Sequence, residues 1–88
     1  MNLEELRTEI DKIDGEIIGF LAKRFEIVGK IGQIKNEQGL PAYQPEREKM
    51  VLESLKGKAR RLEIEDKFID DLYEIIFAES RKIQSGKN

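Results

Sequence analysis

The sequence of 88 residues contains neither cysteine nor histidine. The lack of cysteine excludes disulfide bonds and thiolate chemistry. Without either residue type, a zinc site and a histidine general base are also excluded, so a metal ion would need an oxygen-rich site. Apolar runs of membrane-spanning length and targeting segments are missing as well, and we therefore expect a cytoplasmic protein with no membrane partner.

An excess of charge of one sign is also lacking. The chain carries 16 Lys and Arg residues against 18 Asp and Glu residues, so its formal net charge is only −2. A surface of such mixed sign provides no strong field for nucleic acid. We therefore expect no nucleic-acid partner.

What the sequence does contain is a regular apolar pattern that predicts one long amphipathic helix from Leu3 to Lys35. Residues recur at alternating steps of three and four, which is the spacing of a single helix face. This face, which we call the apolar seam, consists of Leu3, Leu6, Ile10, Ile13, Ile17, Phe20, Arg24, Ile27, Ile31 and Ile34. Nine of these ten residues are apolar, and the exception is Arg24.

The length of this helix predicts a dimer. The helix would be roughly 50 Å long, whereas a compact chain of this size has a radius of gyration of about 12 Å. Much of the seam would then face water in a monomer. A single core is also marginal at this chain length without oligomerisation. We therefore predict one all-α domain spanning 1–88 that forms an intertwined antiparallel homodimer.

Two shorter helices are predicted after the long one. Gly39 is typical of the residue just beyond a helix end. The second helix begins at Pro45, because proline is favoured at the first helical position, and it ends near Gly57 and the basic residues that follow. The third helix covers approximately 66–83. The predicted fold therefore has three helices per chain, one very long and two shorter.

Polar residues on faces that are expected to be buried provide the functional prediction. They are Arg7, Arg24, Lys35, Arg47, Glu48, Ser80 and Gln84. Burying such groups without partners would cost several kcal/mol each. They therefore either pair with one another, with Arg24 bonded to Glu48, or surround a polar ligand. Because cations outnumber the single carboxylate, an anionic ligand is indicated, and arginine is well suited to binding carboxylates.

Arg7 and Lys35 cannot contact one small ligand from the same chain, because about 42 Å of helix separates them. If two copies of the helix pack antiparallel and cross near Leu21, Arg7 of one chain lies level with Lys35 of the other. The dimer would then hold two equivalent sites, each completed by an arginine from the partner chain.

Five short motifs connect these residues to a known family. They are L-R-x-x-I-D-x-I-D at 6–14, A-K-R at 22–24, G-x-I-K at 32–35, P-E-R-E at 45–48 and E-S-x-x-x-Q at 79–84. In this order they resemble the all-helical class of chorismate mutases over nearly the whole chain. The resemblance implies a pericyclic rearrangement of chorismate to prephenate, on the route to Phe and Tyr, without a cofactor or a metal.

The resemblance also implies roles for single residues. Arg24 and Arg7 of the partner subunit would bind the substrate carboxylates. Lys35 would contact a carboxylate and the ether oxygen, to which Gln84 would donate a second hydrogen bond. Glu48 would accept a hydrogen bond from the ring hydroxyl.

Three further residues belong to the implied site. Arg47 and Ser80 would complete its polar lining. Gln44 departs from the family, which often has Asp before the P-E-R-E motif as a helix cap that also helps to order the substrate hydroxyl region. Gln is a poor cap. Activity should survive this difference if the contact runs through the backbone N–H, whereas binding should weaken if the carboxylate is required.

Two alternatives are open on the sequence alone. An isochorismate-pyruvate lyase shares the fold, although its residue at the position of Glu48 tends to be apolar. A non-catalytic helical dimerisation or regulatory module would explain the seam but not the polar residues that face inward. Because the chain has no room for a fused domain, we expect a free-standing or excised mutase that does not respond to Phe or Tyr.

Overall fold

The computed structural model describes residues 1–86, which form three α-helices. Helix α1 spans Leu3–Glu37, α2 spans Pro45–Arg61 and α3 spans Asp66–Gln84. The prediction of an all-α fold with one long and two shorter helices is therefore confirmed. Among the described residues, no helix combines the length and the hydropathy that are needed to cross a bilayer.

Helix α3 lies at the centre of the packing. It packs against both α1 and α2, whereas α1 and α2 make no close backbone contact with each other within residues 1–86. The buried apolar residues are Val28 of α1, Ala59 of α2, and Ile69, Ile76 and Phe77 of α3. Any site formed between α1 and α2 therefore depends on α3 to hold the two helices in place.

The apolar seam of α1 is left uncovered by the rest of the chain. Every residue from 1 to 20 is exposed, and the nine apolar seam residues are each between 41% and 66% exposed. The molecule is correspondingly elongated, with extents of 55 × 24 × 15 Å. A single chain therefore leaves a long apolar stripe in contact with water, which is unfavourable.

Helix α1 ends in a glycine turn. The helix continues to Glu37, two residues beyond the predicted end at Lys35. Gly39 then takes the left-handed conformation with φ of +70°, which a residue without a Cβ adopts at little cost. The N–H of Leu40 donates to the carbonyl of Lys35 at 2.8 Å. Beyond this turn the chain stays close to the end of α1, where the carbonyl of Ala42 accepts from Lys35 Nζ at 3.1 Å.

Helices α1 and α3 approach each other closely at Gly32. A Cβ at this position would lie 2.8 Å from the Cα of Gln84 and 2.9 Å from its carbonyl oxygen. Both are backbone atoms, which cannot move aside as a flexible side chain can, so only glycine fits here. The contact lies at the last residue of α3 and therefore determines where the end of α3 crosses α1.

Candidate active site

The three helices and the loop before α2 surround a pocket of about 300 Å³. The predicted site residues that line it are Arg24 and Lys35 of α1, Gln44, Arg47 and Glu48 around the start of α2, and Ser80 and Gln84 of α3. Val28, Val51 and Phe77 contribute apolar surface to the same pocket. Residues that are far apart in the sequence thus share one cavity, whose volume is suitable for a small molecule.

Arg24 is held by a buried hydroxyl and two aromatic rings. Its Nη1 donates to Ser80 Oγ at 2.7 Å, and Ser80 Oγ in turn donates to the carbonyl of Ile76 at 2.8 Å. The guanidinium lies 5.8 Å from the ring centre of Tyr73 and 5.9 Å from that of Phe77. At these distances a cation is attracted to the ring face. A guanidinium has five N–H donors, so several are left for a ligand.

Lys35 and Gln84 meet where α1 and α3 cross. Lys35 Nζ donates to Gln84 Oε1 at 2.5 Å and to the carbonyl of Ala42 at 3.1 Å. An ammonium group has three donors, so a third is left for a ligand, as is the side-chain NH₂ group of Gln84. Two neighbouring donors, one of them charged, are suited to an oxygen atom that gains negative charge during a reaction.

The partner of Glu48 is Arg81 rather than Arg24. Arg81 Nη1 lies 2.8 Å from both carboxylate oxygens of Glu48. The alternative in which Arg24 pairs with Glu48 is therefore wrong. The reason is the orientation of α3, which directs Ser80 toward Arg24 on α1 and directs the next residue, Arg81, toward α2.

Arg81 is the pocket residue that the motif analysis missed. It occupies an unspecified position of the E-S-x-x-x-Q motif, so the family resemblance assigns no role to it. Its spacing from two other pocket residues could have indicated it, because Arg81 follows Phe77 by four residues and precedes Gln84 by three. Residues at these spacings lie on one face of a helix. The helical pattern of α3 could therefore have identified Arg81.

The start of α2 contributes Gln44 and Arg47. Gln44 is the N-cap residue, and its side chain makes no capping hydrogen bond, as expected for Gln. Its backbone carbonyl accepts hydrogen bonds from the N–H groups of Arg47 at 3.1 Å and Glu48 at 3.2 Å. The first turn of α2 therefore forms without help from a side-chain cap, and Arg47 lies exposed at the edge of the pocket.

Arg7 lies away from this pocket, on the uncovered part of α1. Its side chain is 66% exposed, and its contact is a 3.5 Å ion pair with Glu4 one turn earlier in the same helix. Within one chain, Arg7 therefore takes no part in the pocket that the other predicted residues share.

The pocket is strongly cationic. Arg24, Lys35, Arg47 and Arg81 line it together with a single carboxylate, Glu48. A concave surface with such an excess of positive charge concentrates anions. Because Ser80 Oγ is already bonded to Arg24 and to a backbone carbonyl, the pocket is arranged to bind and orient a ligand rather than to attack it.

These features define a class: a small all-α protein with a cationic pocket between helices that suits a compact anionic ligand. Residues 6–85 match the family described as chorismate mutase type II. Because this match covers nearly all of the sequence, the chain belongs to the chorismate mutase type II family.

Individual proteins are similar to this chain over most of its length. The chain is 40% identical over 78 residues to a T-protein of Haemophilus influenzae, a match that covers 89% of the chain but 21% of that protein. It is 27% identical over 82 residues to a chorismate mutase of Methanocaldococcus jannaschii, covering 93% of the chain and 83% of that protein. A solved structure of a conserved hypothetical protein from Pyrococcus furiosus has 40% identity and a TM-score of 0.73, with 93% of each chain covered. The chain thus spans about a fifth of the length of the T-proteins it matches.

Proposed function

We propose that the chain is a chorismate mutase, which converts chorismate to prephenate by an intramolecular Claisen rearrangement. The observation that carries the proposal is the convergence of Arg24, Lys35, Glu48 and Gln84 on one cationic pocket in a chain of this family. Chorismate is a dicarboxylate with a ring hydroxyl and an ether oxygen. The four side chains offer a partner to each kind of group.

Arg24 would bind a substrate carboxylate. Ser80 and the rings of Tyr73 and Phe77 already hold its guanidinium, so little side-chain freedom would be lost on binding. With Arg7 of the partner subunit also bound to the carboxylates, the flexible substrate would be kept in the compact conformer in which the reacting carbons meet. Such positioning can lower a reaction barrier by several kcal/mol.

Lys35 and Gln84 would stabilise the transition state. As the ether C–O bond breaks, negative charge develops on the ether oxygen. Lys35 Nζ is already fixed by Ala42 and Gln84, so its remaining N–H and the NH₂ group of Gln84 can donate to this oxygen without reorganisation during the reaction. Preorganised donors of this kind are a major source of catalysis.

Glu48 would accept a hydrogen bond from the ring hydroxyl, and Arg47 and Ser80 would complete the polar lining. The rearrangement needs neither a nucleophile nor a proton transfer, so none of these groups has to change its protonation state. Gln44 would contribute through its backbone N–H, because its carbonyl already accepts from the N–H groups of Arg47 and Glu48.

The active form would be a homodimer that is built on the apolar seam. Nine apolar residues of the seam are exposed in one chain, and a second copy of α1 offers them a matching apolar face. An antiparallel arrangement brings Arg7 of the partner subunit level with Lys35. Each dimer would then contain two pockets, each completed in trans.

The test is the loss of chorismate absorbance with purified protein, with prephenate identified as the product. We expect turnover by the wild-type chain and its loss in Arg24→Ala, because that change removes a substrate contact and leaves the apolar part of the seam intact. A folded dimer that does not convert chorismate would contradict the proposal. Isochorismate is the control substrate: release of pyruvate from it, without conversion of chorismate, would assign a lyase instead.

A further inference from the structure

Arg81 is anchored on two sides at the rim of the pocket. Its Nη1 bonds to both oxygens of Glu48, and the two side chains are 36% and 23% exposed respectively. Its guanidinium carbon lies 5.0 Å from the ring centre of Tyr43, which adds a cation–π contact. The ion pair is thus half-buried and bifurcated, unlike a mobile surface pair.

Two of the other three cations of the pocket are engaged elsewhere. Arg24 is bonded to Ser80, and Lys35 is bonded to Ala42 and Gln84. Among residues 1–86, the cation that lies within ion-pair distance of Glu48 is Arg81. The charge that Glu48 presents to a ligand therefore depends on a residue to which the family motif assigns no role.

We propose that Arg81 is a positioning residue that orients Glu48 and makes the pocket select an uncharged group over a cationic one at the ring position that Glu48 contacts. The proposal rests on the proposed chorismate mutase function, in which Glu48 accepts a hydrogen bond from the ring hydroxyl. It adds Arg81 as a second residue that controls this contact, and it adds a substrate preference that follows from the charge of Arg81.

The orientation follows from counting lone pairs. A carboxylate has about four acceptor sites, of which the bifurcated contact of Arg81 occupies two. The remaining sites accept one hydroxyl donor from a direction that the ion pair determines. Without Arg81, the Glu48 carboxylate rotates more freely, and the ring hydroxyl meets it in fewer productive arrangements.

The preference follows from electrostatics. A carboxylate without a partner attracts an ammonium group more strongly than it attracts a hydroxyl group. With Arg81 in place the pair is neutral overall, and a second cation beside it is repelled by the guanidinium. A half-buried location strengthens this repulsion, because the effective dielectric constant is lower there than in bulk water.

The experiment compares chorismate with its amino analogue, in which an amine replaces the ring hydroxyl. For wild type, Arg81→Gln and Arg81→Lys, kcat and KM are measured on both substrates. We expect Arg81→Gln to lower kcat/KM for chorismate and to shift the ratio of the two kcat/KM values toward the amino analogue by about tenfold. Arg81→Lys should restore most of the wild-type ratio, because it keeps the cation.

Arg60→Gln is the matched control. Arg60 also forms a close two-point contact with a carboxylate, at 2.9 and 2.7 Å to Asp66, but it does not line the pocket. The Arg60→Gln substitution should leave the ratio of the two kcat/KM values unchanged. Far-UV circular dichroism reports folding, and Arg81→Met replaces Arg81→Gln if the latter does not fold.

The outcomes separate the two proposals. If wild type does not convert chorismate, the proposed function is wrong, and the proposed role of Arg81 is then wrong as well. If wild type converts chorismate but Arg81→Gln and Arg81→Met keep the wild-type substrate ratio, only the role of Arg81 is overturned. That role is also overturned if Arg81→Lys shifts the ratio as far as Arg81→Gln, since charge would then not be the cause.

Discussion

Four functional side chains of the pocket are each held in place by a hydrogen-bond partner within the chain before any ligand arrives: Arg24, Lys35, Glu48 and Gln84. Ser80 accepts from Arg24 at 2.7 Å, and the carbonyl of Ala42 accepts from Lys35 at 3.1 Å. Because these bonds already order the side chains, less conformational entropy is lost when a ligand binds.

Lys35 offers the most direct test of transition-state stabilisation. We expect Lys35→Met to lower kcat by about 10²–10³-fold, the effect of losing one donor to a developing oxyanion. Lys67→Met is the control, because Lys67 is an 84% exposed lysine paired with Asp71 within α3. Steady-state kinetics on chorismate provides the measurement, and a wild-type kcat in Lys35→Met would contradict the assigned role.

Asp66 makes a pH-dependent contribution to stability. The hydrogen bond from Arg60, and then the charge of that guanidinium, hold the pKa of the Asp66 carboxyl below its ordinary value. A lowered pKa in the folded state means that this contribution is complete above the unfolded pKa of about 3.9. The contribution is lost as the pH falls through the lower, folded-state pKa.

We therefore expect Asp66→Asn to lower the urea midpoint at pH 7. The difference from wild type should shrink below about pH 4 and disappear at more acidic pH. Urea titrations of both proteins across this range provide the measurement. A difference that stays constant down to strongly acidic pH would show that the carboxylate charge is not the cause.

Among the helices, α1 and α3 depend on one glycine for their crossing. In Gly32→Ala the new Cβ would lie 2.8 Å from the Gln84 backbone, so the two helices must separate. We expect a loss of stability of about 1–3 kcal/mol, which is typical of overpacking. We also expect lower kcat/KM, because Gln84 moves away from Lys35.

Gly57→Ala is the matched control for this substitution. A Cβ at Gly57 would meet no atom within 4 Å, so the change should raise stability by about 1 kcal/mol through helix propensity alone. Thermal unfolding and chorismate kinetics on both variants test the pair. If Gly32→Ala were as stable and as active as Gly57→Ala, the close approach would not determine the geometry of the site.

The helices themselves were largely predictable because the forces that form them act over a few residues. The repeat of the apolar seam, Pro45 at the start of α2 and Gly39 after α1 are local features, and all correspond to the observed elements. The end of α1 was placed two residues too early. After Gly39, the N–H of Leu40 donates to the Lys35 carbonyl, and this bond stabilises a helical turn beyond Lys35. Residues 36–38 are polar, so the apolar pattern did not predict that turn.

For the molecule as a whole, the uncovered seam and the distant Arg7 lead to a test by complementation. Neither Arg7→Ala nor Arg24→Ala should be active as a homodimer. Refolded together, they should recover about a quarter of wild-type activity, because random pairing makes about half of the dimers mixed and each mixed dimer has one complete site. Chorismate kinetics before and after mixing provides the measurement.

The same mixture tests where Arg7 acts. If Arg7 served the pocket of its own chain, the mixed dimers would contain no complete site and mixing would restore nothing. Activity in the Arg7→Ala homodimer would mean that the arginine is not needed at all. Light scattering on each variant confirms that the loss of activity is not a loss of the dimer.

Local physics was sufficient for the helices and for selecting polar residues that mostly line one pocket in the structure. Periodicity, caps and helix-breaking residues act within a few positions, and polar residues on an apolar face are visible in the sequence. Which cation meets which carboxylate was not visible there: Glu48 pairs with Arg81, and Arg24 pairs with Ser80. These pairs depend on how α3 is rotated between α1 and α2, which is set by contacts between distant residues, such as Gly32 with Gln84.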